Sequence, residues 1–386
     1  MIYNFDEIIN RKNTGSIKYD FAAKRGRPEG LLPLWVADMD FAAPKGVVEE
    51  LEKAVRHGIF GYAEPMEAYY QALTAWFSGR YGLEFTKEDV VCTPGVVYAL
   101  AQIVRALTNE GEGVIIQSPV YYPFYSVVEE NGRKVVRNPL IFKDGRYTMD
   151  FDGLEALAAQ EEVKMLLLCS PHNPVGRVWK RDELERLNEI CRRNNIIVVA
   201  DEIHCDFVYS GNKHTSFGLL DENAVICTAP SKTFNLAGLQ TANVIVKDTA
   251  QRRRLLAEIS RSGYSQLNTL GLVACRAAYQ HGAEWLAELI TYLEQSLALV
   301  RDFINERLPK VKLIEPEGTY LIWLDFTAYG LTQKELDRRV IQGAGLWLDT
   351  GTMFGREGEG FQRINLTCPH SVLRQALEQL AHEFNK

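Results

Sequence analysis

The sequence predicts an α/β protein with a mainly parallel sheet that helices cover on both faces. Short apolar stretches alternate with longer segments whose apolar residues recur at helical spacing, which is the pattern of such a sheet. The chain has 386 residues, more than one hydrophobic core usually supports, so we expect a large domain and a smaller one. Hydrophobic residues make up 46% of the chain, which is enough to fill both cores.

The short apolar stretches have the length and composition of buried strands. In chain order, the predicted strands are residues 90–92, 113–117, 164–169, 196–200, 224–228 and 243–246. Helices are predicted between them at 96–107 and 181–194, the second with Leu184, Leu187 and Ile190 on one face. Ligands of such sheets bind at the carboxyl ends of the strands, so we look for functional residues there.

The last third of the chain predicts the smaller unit. A long amphipathic helix is expected over residues 285–308 and ends before Pro309, because a residue that precedes proline rarely stays helical. The predicted elements that follow are strands at 311–313, 320–325 and 346–349 and helices at 333–341 and 371–384. No internal repeat or low-complexity linker interrupts the sequence.

The composition argues against several classes of protein. A net charge of −7 and a pI of about 5.7, without a basic run, disfavour a nucleic-acid partner. Asp6 and Glu7 stand where a secretory signal needs a basic end, and no apolar run approaches the ~20 residues that span a bilayer. The seven cysteines lack Cys-x-x-Cys spacing, so neither disulfides nor a metal site is expected. We therefore expect a cytoplasmic enzyme that acts on a small molecule.

Three polar residues follow the ends of successive predicted strands: Asn173, Asp201 and Lys232. Taken singly, a lysine is usually a solvated charge and an aspartate after a strand often caps a turn. Together they match the needs of pyridoxal phosphate, an aldehyde cofactor. Lys232 could form the Schiff base, Asp201 could keep the pyridine nitrogen protonated, and Asn173 could donate a hydrogen bond to the phenolate oxygen.

The motifs around these residues resemble a known family. Residues 170–176 (Ser-Pro-His-Asn-Pro-Val-Gly), 201–206 (Asp-Glu-Ile-His-Cys-Asp) and 231–235 (Ser-Lys-Thr-Phe-Asn) are similar to fold-type I pyridoxal-phosphate enzymes of the class I/II aminotransferase family. Residues 35–41 and 201–204 resemble its MalY/PatB-type cystathionine β-lyases, which are carbon–sulfur lyases. The resemblance runs nearly end to end. It implies a seven-stranded sheet in a large domain of residues 46–284, and a small α+β domain built from 1–45 and 285–386.

The resemblance also places a phosphate-binding loop at Gly95, Val96 and Val97. Residues 93–97 (Thr-Pro-Gly-Val-Val) close a strand and open a helix, so free N–H groups and the helix dipole would face an anion, although Pro-Gly before a helix is usually only a turn. Ser231 could donate a hydroxyl group. Gln240 stands where the family often has an arginine, so one cationic phosphate contact is missing, as it is in the lyase branch.

Further site residues are implied by the family positions that they match. Tyr121 aligns with the aromatic residue that stacks on the cofactor ring, with Tyr122 as a rival. Tyr62 matches a tyrosine that reaches the cofactor phosphate of the neighbouring subunit, which implies a homodimer. His204 replaces a tyrosine that bonds the phenolate oxygen in many transaminases, and this points to the lyase branch. His172 is interpreted as structural.

Substrate binding is expected to centre on an arginine. Arg363 matches the family position that binds the α-carboxylate with two parallel hydrogen bonds, although a strand arginine is more often in water. Ala37, with its neighbours Trp35 and Asp38, is expected near the substrate. The predicted reaction is β-elimination from cystathionine or a related thioether. The alternatives are an aminotransferase and a regulatory protein that binds a transcription factor.

Overall fold

A seven-stranded sheet organises most of the chain in the computed structural model, which describes residues 2–386. The strands of the protein are β1 (Leu32–Pro33), β2 (Val90–Thr93), β3 (Gly113–Ile116), β4 (Lys134–Arg137), β5 (Ile141–Lys143), β6 (Arg146–Thr148), β7 (Val163–Cys169), β8 (Ile197–Asp201), β9 (Val225–Thr228), β10 (Ala242–Val246), β11 (Lys312–Ile314), β12 (Leu321–Asp325), β13 (Leu346–Trp347), β14 (Asp349–Thr350) and β15 (Phe361–Asn365). The order in the large sheet is β2-β10-β9-β8-β7-β3-β4, and β10 runs antiparallel to both of its neighbours. The other pairs in this sheet are parallel.

Helices cover both faces of this sheet and pack on the smaller sheet. They are α1 (Lys45–His57), α2 (Glu67–Tyr81), α3 (Val96–Leu107), α4 (Pro123–Glu129), α5 (Phe151–Ala158), α6 (Arg181–Arg193), α7 (Pro230–Thr233), α8 (Thr249–Arg261), α9 (Thr269–His281), α10 (Ala283–Arg307), α11 (Gln333–Arg338) and α12 (His370–Phe384). Within residues 2–386, no helix combines the length and the apolar character that crossing a membrane requires. The predicted fold class is therefore confirmed.

Alternate side chains of the central strands fill two separate cores. In β7, Leu166 and Leu168 belong to one core, while Met165 and Leu167 belong to the other. Because successive residues of a strand point to opposite faces, a sheet buried on both sides needs apolar residues at every position. This explains why the strands of this sheet read as continuous apolar runs in the sequence.

The six predicted strands of the large sheet are all present, with ends shifted by one residue at most. The seventh strand, β4, was missed because its sequence Lys-Val-Val-Arg has charged ends and lies at the sheet edge. The predicted strand at 346–349 is two strands, β13 and β14, which join different sheets. The predicted helix at 333–341 is α11 followed by a π-helical turn over Arg339–Gly343.

The carboxyl-terminal part contains a four-stranded antiparallel sheet in the order β11-β12-β15-β14. The N-terminal segment is bound to this part, because β1 pairs with β13 and Asn365 Nδ2 donates hydrogen bonds to Val36 O and Asp38 O, each at 2.7 Å. The N-terminal segment and the carboxyl-terminal part therefore pack together. The exact division into residues 46–284 and 1–45 with 285–386 stays a prediction.

Candidate active site

Three adjacent parallel strands, β7, β8 and β9, bring Asn173, Asp201 and Lys232 together. Asn173 lies in the turn after β7, Asp201 is the last residue of β8, and Lys232 lies on α7, the helical turn after β9. Because parallel strands end at the same edge of the sheet, their carboxyl ends form one site. All three residues line a cavity of about 380 Å³.

Most of the other predicted site residues line the same cavity. These are Ala37, Gly95, Val96, Val97, Tyr121, His204 and Ser231. Gln240 also lines it, as do residues that the sequence did not single out: Pro94, Tyr98, Ile203 and Ala237. Two predicted residues are not in its lining. Arg363 is hydrogen-bonded to Asn173, which does line the cavity, and Tyr62 lies on the surface.

Lys232 points its amine at the N-terminal segment. Its Nζ donates a hydrogen bond to Ala37 O at 2.7 Å. Burial lowers the pKa of Lys232 to about 8, and the charge of Arg363 acts in the same direction, against the carboxylates of Asp38 and Asp201. A large fraction of the amine is therefore neutral at mildly alkaline pH, so it can act as a nucleophile or as a base.

Asp201 is a buried carboxylate without a cationic partner. The residue is 4% exposed and accepts a hydrogen bond from Ile203 N at 3.1 Å. Burial raises the pKa of Asp201 to about 7, and the Lys232 amine offsets only part of this effect. No lysine, arginine or histidine within residues 2–386 forms an ion pair with it. A bound group that carries a protonated nitrogen would supply the missing charge.

Burial disfavours the charged form of the two histidines near the cavity. Burial lowers the pKa of His204 well below its usual range, and Lys232 and Arg363 add to this effect. Its Nδ1 has no hydrogen-bond partner within residues 2–386. His172 is held at Pro119 O through Nε2 at 2.9 Å, and burial lowers its pKa to about 4. Nδ1 of His172 also lacks a partner within residues 2–386, but only His204 lines the cavity.

The N-terminus of α3 lies at the cavity, where the resemblance places a phosphate-binding loop. The helix begins at Val96 directly after Gly95, and the N–H groups of a first helical turn have no partner inside the helix. The hydroxyl of Ser231 and the amide of Gln240 add neutral donors to the cavity lining. No arginine is among the described residues that line the cavity, as the Gln240 substitution indicated.

Arg363 is buried, so the alternative interpretation of a solvent-exposed strand arginine is wrong. The residue lies on β15 and is 3% exposed. Its guanidinium donates to Asn173 Oδ1 at 3.0 Å and to Trp35 O at 2.9 Å, and it forms an ion pair with Asp349. Phe354 lies against the guanidinium, 4.8 Å from ring centre to carbon. The cation is thus fixed in one orientation.

The structure separates the two candidate stacking residues. Tyr121 lines the cavity, whereas Tyr122 is 40% exposed and is absent from the lining. Tyr122 instead packs edge-on against Phe354. The position of Tyr121 fits a ring platform, and its stacking role stays a prediction.

Three residues that the sequence did not assign hold the segment around Ala37. Asn235 Nδ2 donates to Met39 O at 3.0 Å, and Tyr320 donates its hydroxyl hydrogen to Ala37 O at 3.0 Å. Asn365 acts in the same way at the carbonyl groups on either side of Ala37. Asn235 lies three residues after Lys232 and Asn365 two residues after Arg363. This proximity was the only feature of the sequence that could have identified them. Their roles depend on contacts across about 200 to 300 residues of chain.

The parallel sheet and the lysine–carboxylate cavity at its carboxyl edge define an α/β enzyme of pyridoxal-phosphate fold type I. Residues 30–380 match the profile of the family described as aminotransferase class I and II. The chain belongs to this family.

Among curated proteins, the chain is similar to cystathionine beta-lyase PatB of Bacillus subtilis (strain 168), with 43% identity over 381 residues and 98% of each chain covered. It is 34% identical to protein MalY of Escherichia coli (strain K12), again with 98% of each chain covered. The curated relatives thus match it over nearly their whole length.

Solved structures are similar over equally long stretches. Cystalysin from Treponema denticola, whose crystal structure contains a pyridoxal 5'-phosphate cofactor, superposes with a TM-score of 0.96 at 38% identity, covering 100% of this chain and 99% of the other. The pyridoxal-phosphate-bound C-S lyase from Staphylococcus hominis gives a TM-score of 0.92 at 32% identity, covering 100% and 98%. Both neighbours share the fold over nearly the whole chain.

Proposed function

We propose that this protein is a pyridoxal-phosphate-dependent carbon–sulfur β-lyase that cleaves cystathionine or a related cysteine thioether. The observation that carries the proposal is the pair of Lys232 and Asp201, which face one cavity with an amine and a carboxylate that lack ionic partners. The relatives named as cystathionine β-lyases and C-S lyases support the choice of reaction.

The residues present fit the cofactor. When bound, pyridoxal phosphate supplies an aldehyde for the amino group and a protonated ring that withdraws electrons from Cα. Lys232 would hold the aldehyde carbon, and Asp201 would hold the ring N–H, which relieves the burial of an unpaired carboxylate. Asn173 and His204 would lie near the phenolate oxygen and Tyr121 against the ring face. Gly95, Val96, Val97 and Ser231 would bind the phosphate.

The chain's own groups then account for the reaction. Arg363 binds the α-carboxylate of the substrate and orients it next to Ala37 and Tyr121. The free amine of Lys232, whose pKa burial lowers, takes the proton from Cα. The C–S bond at Cβ breaks, and its electron pair leaves with sulfur as a thiolate. The remaining three-carbon fragment takes up water and ends as pyruvate and ammonia.

The active unit is proposed to be a homodimer in the cytoplasm. Tyr62 is 91% exposed, and its neighbours Ile59, Phe60 and Met66 are also exposed apolar side chains. Contiguous exposed apolar residues are unfavourable in water and are typical of an interface. We infer that a second copy of the chain covers this segment and receives Tyr62 at its phosphate site.

The discriminating experiment is pyruvate release from cystathionine with no keto acid present. We expect release by the wild-type protein, and none by Lys232→Ala, because the variant lacks both the attachment point and the base. Lys247→Ala is the matched control. Lys247 follows β10 at the sheet edge opposite the cavity, and it pairs with Glu222 at 3.7 Å. Turnover that depends strictly on an added keto acid would instead identify an aminotransferase and disprove the proposal.

A further inference from the structure

Arg363, the proposed ligand of the substrate carboxylate, is already paired with a carboxylate of this chain. Asp349 on β14 lies opposite Arg363 on β15, and its Oδ2 accepts a hydrogen bond from Arg363 Nη2. Both side chains are buried. The ion pair is therefore shielded from the water and salt that weaken surface pairs.

The hydrogen bonds of Arg363 show why this pair matters. A guanidinium binds a carboxylate through two parallel N–H groups, either on Nη1 and Nη2 or on Nε and Nη2. Both arrangements need an N–H group of Nη2. Nη2 donates to Trp35 O at 2.9 Å and to Asp349, so both of its hydrogens are engaged. Nη1 donates to Asn173 Oδ1 at 3.0 Å, and Nε is buried without a partner within residues 2–386. A second carboxylate can bind with two hydrogen bonds only if one Nη2 contact breaks.

The contact with Asp349 is the one that can be released. Trp35 O belongs to the backbone, whereas Asp349 has rotatable side-chain bonds. Burial raises the pKa of Asp349, against the charges of Arg363 and Arg27. When a buried carboxylate loses its cation, protonation is the least costly way to remove its charge.

We propose that Asp349 competes with the substrate carboxylate for Arg363, and that substrate binding releases Asp349 with the uptake of one proton. The inference rests on the proposed function, because it requires a substrate that carries an α-carboxylate. Its consequence is that the site binds carboxylates more weakly as the pH rises. Asp349 would thus set the pH range in which the enzyme holds its substrate.

The groups that face Asp349 are Arg363, Arg27, Tyr121 and Tyr122. Arginine side chains in general are not deprotonated in proteins. Burial raises the pKa of both tyrosines, so their hydroxyls stay protonated. Among these groups, Asp349 is therefore the one that can take up the proton when substrate binds.

Butyrate is a suitable probe for the holoenzyme, because it has the carboxylate but no amine that could react with the cofactor. Above the pKa of Asp349, we expect the Kd of butyrate to rise by up to about tenfold per pH unit. Calorimetry in two buffers of different ionisation enthalpy should show proton uptake that approaches about one per butyrate. Binding without proton uptake would overturn the proposal, and this measurement needs no variant.

The variant Asp349→Asn keeps the shape of the side chain and removes its charge. We expect it to bind butyrate about tenfold more tightly at pH 8, within the usual range of coupling between sites, and with little pH dependence. Asp337→Asn is the matched control, since Asp337 accepts hydrogen bonds from Thr350 and Gln362 on the same two strands without contacting Arg363. Weaker binding by Asp349→Asn would mean that Asp349 only supports the guanidinium, and would refute the competition.

Two further measurements separate this inference from the proposed reaction. Arg363→Met should abolish butyrate binding, and unchanged binding would overturn the inference by placing the probe elsewhere. Pyruvate release is assayed independently. A protein that takes up the proton on binding butyrate but releases no pyruvate would support the competition and disprove the lyase reaction.

Discussion

Thr233, the residue after Lys232, donates its hydroxyl hydrogen to Asp206 Oδ2 at 2.7 Å. The other oxygen of Asp206 accepts from Trp76 Nε1 at 3.1 Å and from the Tyr81 hydroxyl at 2.5 Å, and both of these residues lie on α2. The turn that carries Lys232 is thus tied through one buried carboxylate to a helix far away in the sequence. We expect the position of the Lys232 amine to depend on this contact.

Removal of the Thr233 hydroxyl should loosen the turn. Thr233→Val keeps the shape of the side chain but leaves one lone pair of buried Asp206 without its donor, so we expect a loss of about 1 kcal/mol in the free energy of unfolding. Pyruvate release should also slow, because Lys232 moves relative to the substrate. Urea denaturation and steady-state kinetics measure the two effects. Thr291→Val on the exposed face of α10 is the control, and equal behaviour of the two variants would contradict the prediction.

Much of the fold could be predicted because its signals are local. The strands β7 and β8 are mostly apolar runs. Asp201 ends β8, and Asn173 and Lys232 lie a few residues beyond β7 and β9, so their convergence follows from parallel pairing. The edge strand β4 could not be predicted, because edge strands are short and partly charged and lack a continuous apolar run.

The contacts that support the site were less predictable. The Asp349–Arg363 pair depends on the register between β14 and β15, and the Thr233–Asp206 bond on how α7 packs near α2. Neither the strand register nor the helix packing can be predicted from the spacing of residues in the sequence. The same holds for the burial of Arg363, because an arginine in an apolar strand pattern fits a solvent-facing position equally well.

Replacement of Asp201 should stabilise the cofactor-free protein and weaken cofactor binding. Burial raises the pKa of Asp201 from 3.8 to about 7, so the carboxylate costs up to about 4 kcal/mol when it is fully ionised in the folded state. Asp201→Asn removes this cost and keeps the oxygen that accepts from Ile203 N. For the cofactor-free variant at pH 8, we expect the free energy of unfolding to rise by about 1–3 kcal/mol. This is less than the full cost of the buried charge, because the protein relaxes around it.

The sign of the pH dependence follows from the direction of that pKa shift. The unfolded carboxylate ionises near pH 3.8 and the folded one near pH 7, so the folded state binds more protons between these values. Wild-type stability therefore falls as the pH rises from about 4 to 7, and the advantage of Asp201→Asn grows over the same range. Urea denaturation of both proteins at pH 5 and pH 8 measures this difference in the free energy of unfolding. A cofactor titration should show at least roughly tenfold weaker binding by the variant, because a charge-assisted hydrogen bond is lost.

Tyr121 and Tyr122 should differ in their effect on the cofactor. Tyr121 lines the cavity, so Tyr121→Ala should weaken cofactor binding by about three- to tenfold, the range that aromatic stacking supplies. Tyr121→Phe should bind nearly as well as the wild type, since the ring remains. Tyr122→Ala is the matched control and should leave cofactor affinity unchanged. A larger loss with Tyr122→Ala than with Tyr121→Ala would reverse the assignment. The measurement is a spectrophotometric titration of cofactor-free protein.

The exposed position of Tyr62 predicts active sites shared between subunits. If Tyr62 completes the site of its partner, each active site takes Lys232 from one subunit and Tyr62 from the other. Tyr62→Ala and Lys232→Ala then inactivate a site through different subunits. A hybrid dimer of the two variants would then contain one site with both changes and one with neither. Random reassembly of equal amounts makes half of the dimers hybrid, so pyruvate release should recover to about a quarter of the wild-type level.

The control for this experiment is a mixture of Lys232→Ala with Asp201→Ala. Lys232 and Asp201 line the cavity of a single chain, so every site in that hybrid keeps one defect and activity should not recover. Recovery in the first mixture and not in the second would establish that Tyr62 acts across the interface. If neither mixture recovers although each variant assembles normally, Tyr62 does not serve the partner's site, and its exposed apolar surroundings would need a different explanation.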